Sequence, residues 1–368
     1  MSKLPVSVVM CVFNAEPFLA EAVESILNQT FQDFEFIIVD DGSTDGSAQI
    51  IDRYRKSDPR LVVWRHPKNR GLVEAHNAGF SLATGKYIAL MAADDIAVRD
   101  RLTWQFDFME KHPEVGLLGG AVEWIDSTGK LLLTQHLPLK DREIRAALHY
   151  HCQFSAPTVF LRKDVFSTTY GFRKAFVKAE DYDLWLRMAE RCQMANLDKV
   201  LLQYRIHLGQ ESHNKVRQMT FCTLAAQASA LARKNGRPDL LNEVSEVTPA
   251  VLADLGVSEA MLQRAVAAEC LSVIRNMALL GVNSATLKSS VDTLRFSHWK
   301  YAEKNVIADA WLATATCYWR QKRFFWSLHA IASAVMARPV TAGRPLKNLL
   351  RALQRTLRAQ DVNIARTE

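Results

Sequence analysis

Four short runs dominated by apolar residues, each followed by an amphipathic or turn-rich stretch, constrain this chain more than any other feature. VSVVMCVF (6–13), FEFIIVD (34–40), LVVW (61–64) and KYIALM (86–91) read as strands. Between the first two, residues 16–28 put Phe18, Leu19, Ala22, Val23, Ile26 and Leu27 on one helical stripe. DGSTDGS (41–47) is turn-rich, offers Ser43, Thr44 and Asp45 as helix caps, and leads into a helix running to about Tyr54. GLVEAHNAGFSLATG (71–85) is a third helix, closed by Gly85. Apolar strands alternating with helices predict a mostly parallel sheet covered by helices, a Rossmann-like α/β fold. Such sheets bind ligands beyond the carboxyl ends of their strands. Asn14, Asp41 and the pair Asp94–Asp95 all fall just past strand ends, so the alternation gathers them at one edge.

The remainder is organised differently. Strand-like stretches at 115–125 and 130–136 precede FSAPTVFLRKDVF (154–166) and GFRKAFVKAEDYDLWLRMAERC (171–192). The second half of the latter is an amphipathic helix with Leu184, Met188 and Ala189 on one face. LLQYRIH (201–207) reads as a short strand. After about residue 215 glycine is sparse and helical patterns dominate, with 301–339 patterned as helical hairpins. The predicted organisation is an α/β domain over 1–213, with halves of about 1–98 and 99–213, followed by a helical region over 214–368.

A chain of 368 residues that is 49% hydrophobic can bury a large core, in keeping with two domains. The net charge of +7 favours acidic partners: nucleotide phosphates, nucleic acid or an anionic membrane surface. Nucleic acid is disfavoured, because no recognition motif is present and much of the basic excess lies in the tail. The six cysteines are scattered without a CxxC pair, which speaks against a zinc or redox motif and for free thiols in a reducing cytoplasm. The N-terminal apolar run is too short for a signal peptide. No stretch reaches the roughly 18 apolar residues of a membrane span, the nearest being 324–337 with His329 inside it. A cytoplasmic protein is expected.

Two clusters carry the candidate chemistry. Asp94 and Asp95, in MAADDIA, supply the oxygen ligands that a hard divalent cation such as Mn²⁺ or Mg²⁺ needs when it bridges phosphates. The alternative is that they cap the helix begun by RDRLTWQFDFMEKH, where acids favour the helix dipole. Glu180 and Asp181, in AEDYD, offer a general base, or a solvated first helical turn. From the residues alone these alternatives stay open.

Four motifs in order narrow the choice. SVVMCVFNAEPFLAEAVESILNQTFQDFEFIIVDDGSTDGS (7–47), NRGLVEAHNAGFSLATGKYIALMAADD (69–95), AEDYDLWLR (179–187) and YRIH (204–207) together resemble the family 2 glycosyltransferases across roughly residues 5–210. That resemblance implies a GT-A fold and an inverting transfer of sugar from a nucleoside-diphosphate sugar. Carried onto this sequence, it implies that Asp41, with Asp40 beside it, binds the nucleotide base, and that Asn14 and Glu16 line the same pocket, with Asn77 contributing. It makes Asp94 and Asp95 the metal and ribose carboxylates, His207 a further metal or diphosphate contact, and Asp181 the general base with Glu180 adjacent. The chain departs from the family pattern at three places. Ala92 stands where an acid is common, Cys11 where proline is common, and His76 where arginine often precedes the asparagine.

The expected acceptor is a glycan or lipid-linked sugar of surface polysaccharide synthesis. No QxxRW string is present, which points to one sugar per binding event. Trp124 and Trp185 are candidates to stack on a sugar, and His213 reads as loop filler. Residues 346–358, LKNLLRALQRTLR, form a basic amphipathic helix that suits either an anionic membrane surface or packing on its own domain. The rival function is a non-catalytic nucleotide-sugar-binding scaffold on the same fold, for which Ala92 is the one feature in favour.

Overall fold

A computed structural model of the chain describes residues 4–207, 216–266, 268–269, 308, 311–312, 314–315, 318–319 and 324–337. His213 and the basic tail at 346–358 lie outside the described residues. The chain forms two compact units, Met1–Val257 and Ser258–Glu368.

The first unit is built on one mixed, mostly parallel nine-stranded sheet in the order β3-β2-β1-β4-β8-β6-β9-β5, with β7 paired to β6. Its first half follows the sequence pattern closely. Strands β1 (Val6–Val12), β2 (Phe34–Asp40), β3 (Leu61–Arg65) and β4 (Tyr87–Ala92) run parallel, linked by helices α1 (Glu16–Leu27), α2 (Ser47–Ser57) and α3 (Leu72–Leu82). Helix α1 buries Leu19, Ala22, Val23 and Ile26 completely against the sheet. Each large aliphatic side chain there contributes about 1.5–3 kcal/mol of transfer free energy. Gly79 of α3 allows the helix to sit close to the sheet, since a Cβ would meet the Val9 side chain at 2.6 Å.

The second half of the sheet is joined through a three-residue strand. Strand β5 (Ile96–Ala97) and helix α4 (Arg101–Lys111) lead to β6 (Val115–Ile125) and β7 (Leu131–Gln135). Helix α5 (Asp141–Leu148) precedes β8 (Phe160–Arg162), which runs antiparallel between β4 and β6. Helices α6 (Lys163–Ser167) and α7 (Glu180–Met188) then lead to β9 (Gln193–Arg205), parallel to β6 and antiparallel to β5. The strand expected at 201–207 is therefore the end of a 13-residue strand that begins at Gln193. Its first half carries polar residues at Gln193, Asn196, Asp198 and Lys199, which hid it from a hydrophobicity reading.

Two local expectations are corrected. Asp94 and Asp95 do not cap α4, because β5 and a turn intervene and Asp100 occupies the cap position. None of Ser43, Thr44 and Asp45 is the cap residue of α2. That place belongs to Gly46, which has no side chain to offer. The first unit ends with a helix at Val216–Lys234, a 3-10 turn at Leu240–Asn242 and a short helix at Pro249–Asp254, whose cap Thr248 accepts from the Val251 N–H.

In the second unit the helix Phe324–Ala337 packs Ala330 against Ala315 and Tyr318, and Ser327 donates to the Ala315 carbonyl at 2.8 Å. Those residues belong to the stretch patterned as helical hairpins.

Candidate active site

The parallel register pairs Val12 with Asp40, so the chain leaves β1 and β2 side by side. The Asp41 N–H donates to the Val12 carbonyl at 2.8 Å. Asn14 turns the chain at φ +51°, a conformation asparagine tolerates better than most residues. Its side-chain oxygen accepts from the Thr44 N–H at 2.8 Å, and its own N–H donates to Ser43 Oγ. Glu16 accepts from the Gly46 N–H at 2.9 Å, while its N–H donates to Asp45. Asp40 accepts from the Ser43 N–H at 2.9 Å and faces Arg65 at 3.5 Å.

Asp41 is bound tightest. His66 Nδ1 lies 2.6 Å from its Oδ1, which also accepts from the Arg70 N–H at 3.0 Å. Oδ2 accepts from the Gly71 N–H at 2.8 Å. With a single donor, Oδ2 retains one acceptor position. Gly42 next to it is required by close approach as well as by its φ of +75°, since a Cβ there would lie 2.5 Å from the Lys68 carbonyl carbon.

The second group forms where β4 ends and β9 returns. The Arg205 N–H donates to Asp95 Oδ1 at 2.8 Å and its Nε donates to the Asp94 carbonyl at 2.9 Å. Its guanidinium also binds Glu21 and lies 4.8 Å over the Phe18 ring. His207 Nε2 sits 3.1 Å from Asp94 Oδ2, with its ring 5.0 Å from Phe18. Asp95 is 1% exposed, and its Oδ2 has no hydrogen-bond partner. Burial, reinforced by the charge of Asp94, raises the Asp95 carboxyl well above the usual range. Arg101, buried and close enough to act on Asp95, is drawn down to about 9 by its own burial.

This donor set suits a hard divalent cation. Asp94 is partly exposed, His207 is beside it, and the unpartnered Asp95 oxygen is an atom that a cation would satisfy. No group of three or more His, Cys, Asp or Glu side chains poised for a metal occurs among the described residues. Magnesium-type ions are commonly held by one or two carboxylates with substrate phosphates and water completing the shell.

The third group is the N-terminus of α7. Ala179 adopts φ +54°, a costly conformation for a residue with a Cβ, and the helix starts immediately after it. Glu180 is buried, and burial together with the charge of Asp181 pushes its carboxyl up to about 8, with Lys178 opposing. Asp181 is half-buried and is also raised, chiefly by burial. The Tyr182 N–H donates to its Oδ1 at 2.7 Å. His76 Nδ1 lies 3.9 Å from Glu180 Oε1 without a hydrogen bond, its ring stacked on Phe172 at 4.7 Å. Burial lowers it to about 4, so the ring is neutral.

Electrostatics link the groups. The Cys11 thiol is raised by burial, then by Asp41 and Glu180, so both acids act on one atom in β1. Cys152 is likewise raised by burial and then by Asp181. The residues predicted from sequence thus fall into three sets. Asn14, Glu16, Asp40 and Asp41 gather at the β1–β2 edge, Asp94, Asp95 and His207 meet behind Arg205, and Glu180 and Asp181 share the start of α7. Asn77 does something different, because its amide donates to the Phe172 carbonyl at 2.8 Å and accepts from the Phe172 N–H at 3.0 Å. Trp185 is fully buried and belongs to the core, while Trp124 is half-buried with its Nε1 donating to Gln135.

Sequence reading missed Arg205, although it lies two residues before His207 and strand alternation puts both on one face. It also missed Asp183, whose i,i+4 relation to Arg187 was visible in EDYDLWLR.

The comparisons agree with this architecture. The sequence model described as Glycosyl transferase family 2 matches residues 7–169. The amylovoran biosynthesis glycosyltransferase AmsE of Erwinia amylovora is 35% identical over 214 residues, covering 57% of this chain and 79% of AmsE. The crystal structure of S. aureus TarS 1–349 in complex with UDP-GlcNAc superposes with a TM-score of 0.51 at 18% identity, over 89% of this chain and 91% of that one. A mannosyltransferase from Pyrobaculum calidifontis, solved with GDP-Man and Mn²⁺, gives 0.50 at 16% identity over 92% and 88%. The chain belongs to glycosyltransferase family 2 and has the GT-A fold.

Proposed function

We propose that this protein transfers one sugar per encounter from a nucleoside-diphosphate sugar, with inversion, to a glycan or lipid-linked acceptor in polysaccharide synthesis. The observation that carries this reading is the pair Glu180 and Asp181 at the start of α7, with Glu180 and Asp41 both acting on the Cys11 thiol of β1. Of the two neighbouring carboxyls, buried Glu180 holds a proton to about pH 8, raised by burial and by the charge of Asp181. Inversion requires a base on the face opposite the leaving group, and half-buried Asp181 is the accessible member. Asp181 takes the proton of the acceptor hydroxyl as its oxygen bonds to the anomeric carbon. The bond from that carbon to the nucleoside diphosphate breaks on the other side. Asp41 and Asn14 hold the nucleotide at the strand edge. Asp94, Asp95 and His207 would hold a divalent cation, whose chemistry is to offset the charge gathered on the departing diphosphate.

The relatives support the substrate class. AmsE is named for polysaccharide biosynthesis, and the two superposable structures contain UDP-GlcNAc and GDP-Man. No helix among the described residues is long and apolar enough to cross a membrane, and no QxxRW string is present, as suits single transfer. The basic segment at 346–358 would bring the enzyme to an anionic membrane surface on the cytoplasmic side.

Calorimetric titration of nucleoside diphosphates and their sugars, with and without Mn²⁺, tests the reading. Tight, cation-dependent binding of one nucleotide, followed by transfer with inverted anomeric configuration, is expected. Binding without any transfer would favour the scaffold, for which Ala92 speaks. Failure of every nucleotide to bind would sink both.

A further inference from the structure

We propose that Asp239 is a positioning residue for the α7 carboxylates, acting through Arg173 and Asp183, so that residues 216–242 belong to the catalytic unit. The proposal rests on the reading of Glu180 and Asp181 given above. Asp239 lies beyond the family-matched residues 7–169.

The first turn of α7 carries Glu180 and Asp181. In the same turn, Asp183 has no exposed surface and is gripped from two sides. Arg173 binds both of its oxygens, with Nε 3.0 Å from Oδ2, and Arg187 donates to Oδ2 through Nε at 3.0 Å and Nη2 at 2.8 Å. Arg187 also reaches the carbonyls of Thr169 and Gly171, fixing the turn that precedes α7.

Arg173 then extends the chain of charges. Its Nη1 donates to Asp239 Oδ2 at 2.8 Å and to Asn242 Oδ1 at 3.2 Å. Asp239 is itself saturated, accepting from Ser229 Oγ at 2.7 Å, the Leu241 N–H at 3.1 Å and Arg233 Nη1 at 2.5 Å. Those donors hold its carboxyl down to about 2.

The charges explain why Asp239 bears on the site. Arg173 and Arg187 are both nearly buried, and Asp183 alone cannot saturate them. Without the Asp239 charge, Arg173 Nη1 keeps only the longer, neutral bond to Asn242, and the buried guanidinium shifts its balance onto Asp183. Asp183 is two residues from Asp181 and three from Glu180, so the movement passes directly into their burial. Lys178 acts on Glu180 and Asp183 on Asp181, His76 lies 3.9 Å from Glu180, and the pair in turn acts on the thiols of Cys11, Cys152 and Cys222.

The test compares Asp239→Asn with Glu190→Gln, which cuts only the Arg233–Glu190 pair at the surface. Three quantities are followed: kcat, nucleotide Kd, and the midpoint at which the Glu180 carboxyl loses its proton. That proton is read from an infrared C=O band identified by its loss in Glu180→Gln. Asp239→Asn is expected to lower kcat about tenfold, leave nucleotide Kd within about twofold, and move the midpoint by about one pH unit. Glu190→Gln should change none of these. Ser229→Ala, which loosens Asp239 without removing charge, should move the midpoint the same way by less and serves if Asp239→Asn does not fold. An unmoved midpoint in whichever variant folds, whatever happens to Tm, overturns the proposal. If the wild type transfers no sugar, the proposed function fails, but the midpoint still decides whether Asp239 positions α7.

Discussion

The acids at the β1–β2 edge and the acids at the start of α7 are comparably enclosed, yet their surroundings differ. Asp40 and Asp41 are each 3% exposed, and both are fed by N–H donors from the loops that follow. Glu180 is 5% exposed, and its burial and the second carboxyl beside it outweigh the backbone hydrogen bond and the Lys178 charge that favour its anion, while the nearby histidine at 3.9 Å is neutral. Burial with donors fixes a carboxylate as a structural clasp whose remaining lone pairs can meet a ligand. Burial beside a like charge, with too few donors to offset it, raises proton affinity and makes the group chemically responsive. The molecule thus separates holding the donor from moving the proton by hydrogen-bond supply, with the same residue types on both sides.

The largest expected effect breaks the responsive side. Asp181→Asn should lower kcat about 10²–10⁴-fold, the usual worth of a positioned base, with nucleotide Kd within about twofold. Single-turnover transfer and calorimetry on the same preparation check it. Near-normal turnover would remove Asp181 from the reaction.

The next effect concerns pH and has a definite sign. Unfolded, Glu180 releases its proton near 4.5, whereas folded it keeps it to about 8. Between those values the native state binds more protons, so stability falls as pH rises from about 4.5 to 8 and then levels. The change attributable to Glu180 is about 3–5 kcal/mol. Glu180→Gln, neutral in both states, should flatten that slope, and urea unfolding between pH 5 and 8 measures it. An unchanged slope would mean that Glu180 is ionised in the folded protein.

How much of this was legible in the sequence follows the same division. The strands β1 to β4 and the polar residues after them could be read because continuous apolar runs leave one solution, a parallel sheet with its ligand edge at the carboxyl ends. Strand β8 could not be read, because its three residues are defined by pairing to β4 and β6. The start of β9 was hidden by its polar residues. Within the site, positions were visible and environments were not. Nothing in AEDYD says that Glu180 is the more enclosed acid, because its neighbours His76 and Cys11 come from elements a hundred and more residues earlier. Asn77 shows the converse, since the resemblance implied a ligand contact and the fold occupies its amide with the backbone of Phe172.

On the donor-rich side the expected losses are of structure. Asp41→Ala removes the acceptor for the Arg70 and Gly71 N–H groups and for His66, and should cost about 3 kcal/mol. Nucleotide binding should weaken at the same time, because the 66–71 loop loses its anchor. Chemical denaturation and calorimetry together test this. A stability change under about 0.5 kcal/mol would show that the clasp does not hold the loop.

The smallest effect reverses the pH sign found for Glu180. Asp45 accepts from the Ser47 and Glu16 N–H groups, joining the start of α2 to the start of α1. Hydrogen bonds from Ser47, with help from the Glu16 N–H, outweigh its slight burial and lower its carboxyl from the ordinary 3.8. A depressed folded pKa gives stability that is present above 3.8 and lost as pH falls through the lower folded value. Asp45→Ala should therefore cost about 1 kcal/mol at pH 7, and less once acid protonates the wild-type group. Unfolding midpoints of both proteins at neutral pH and near pH 3 decide it. A penalty that grows in acid would place Asp45 with Glu180, among acids the fold keeps protonated, and the division by hydrogen-bond supply would then fail at its most exposed member.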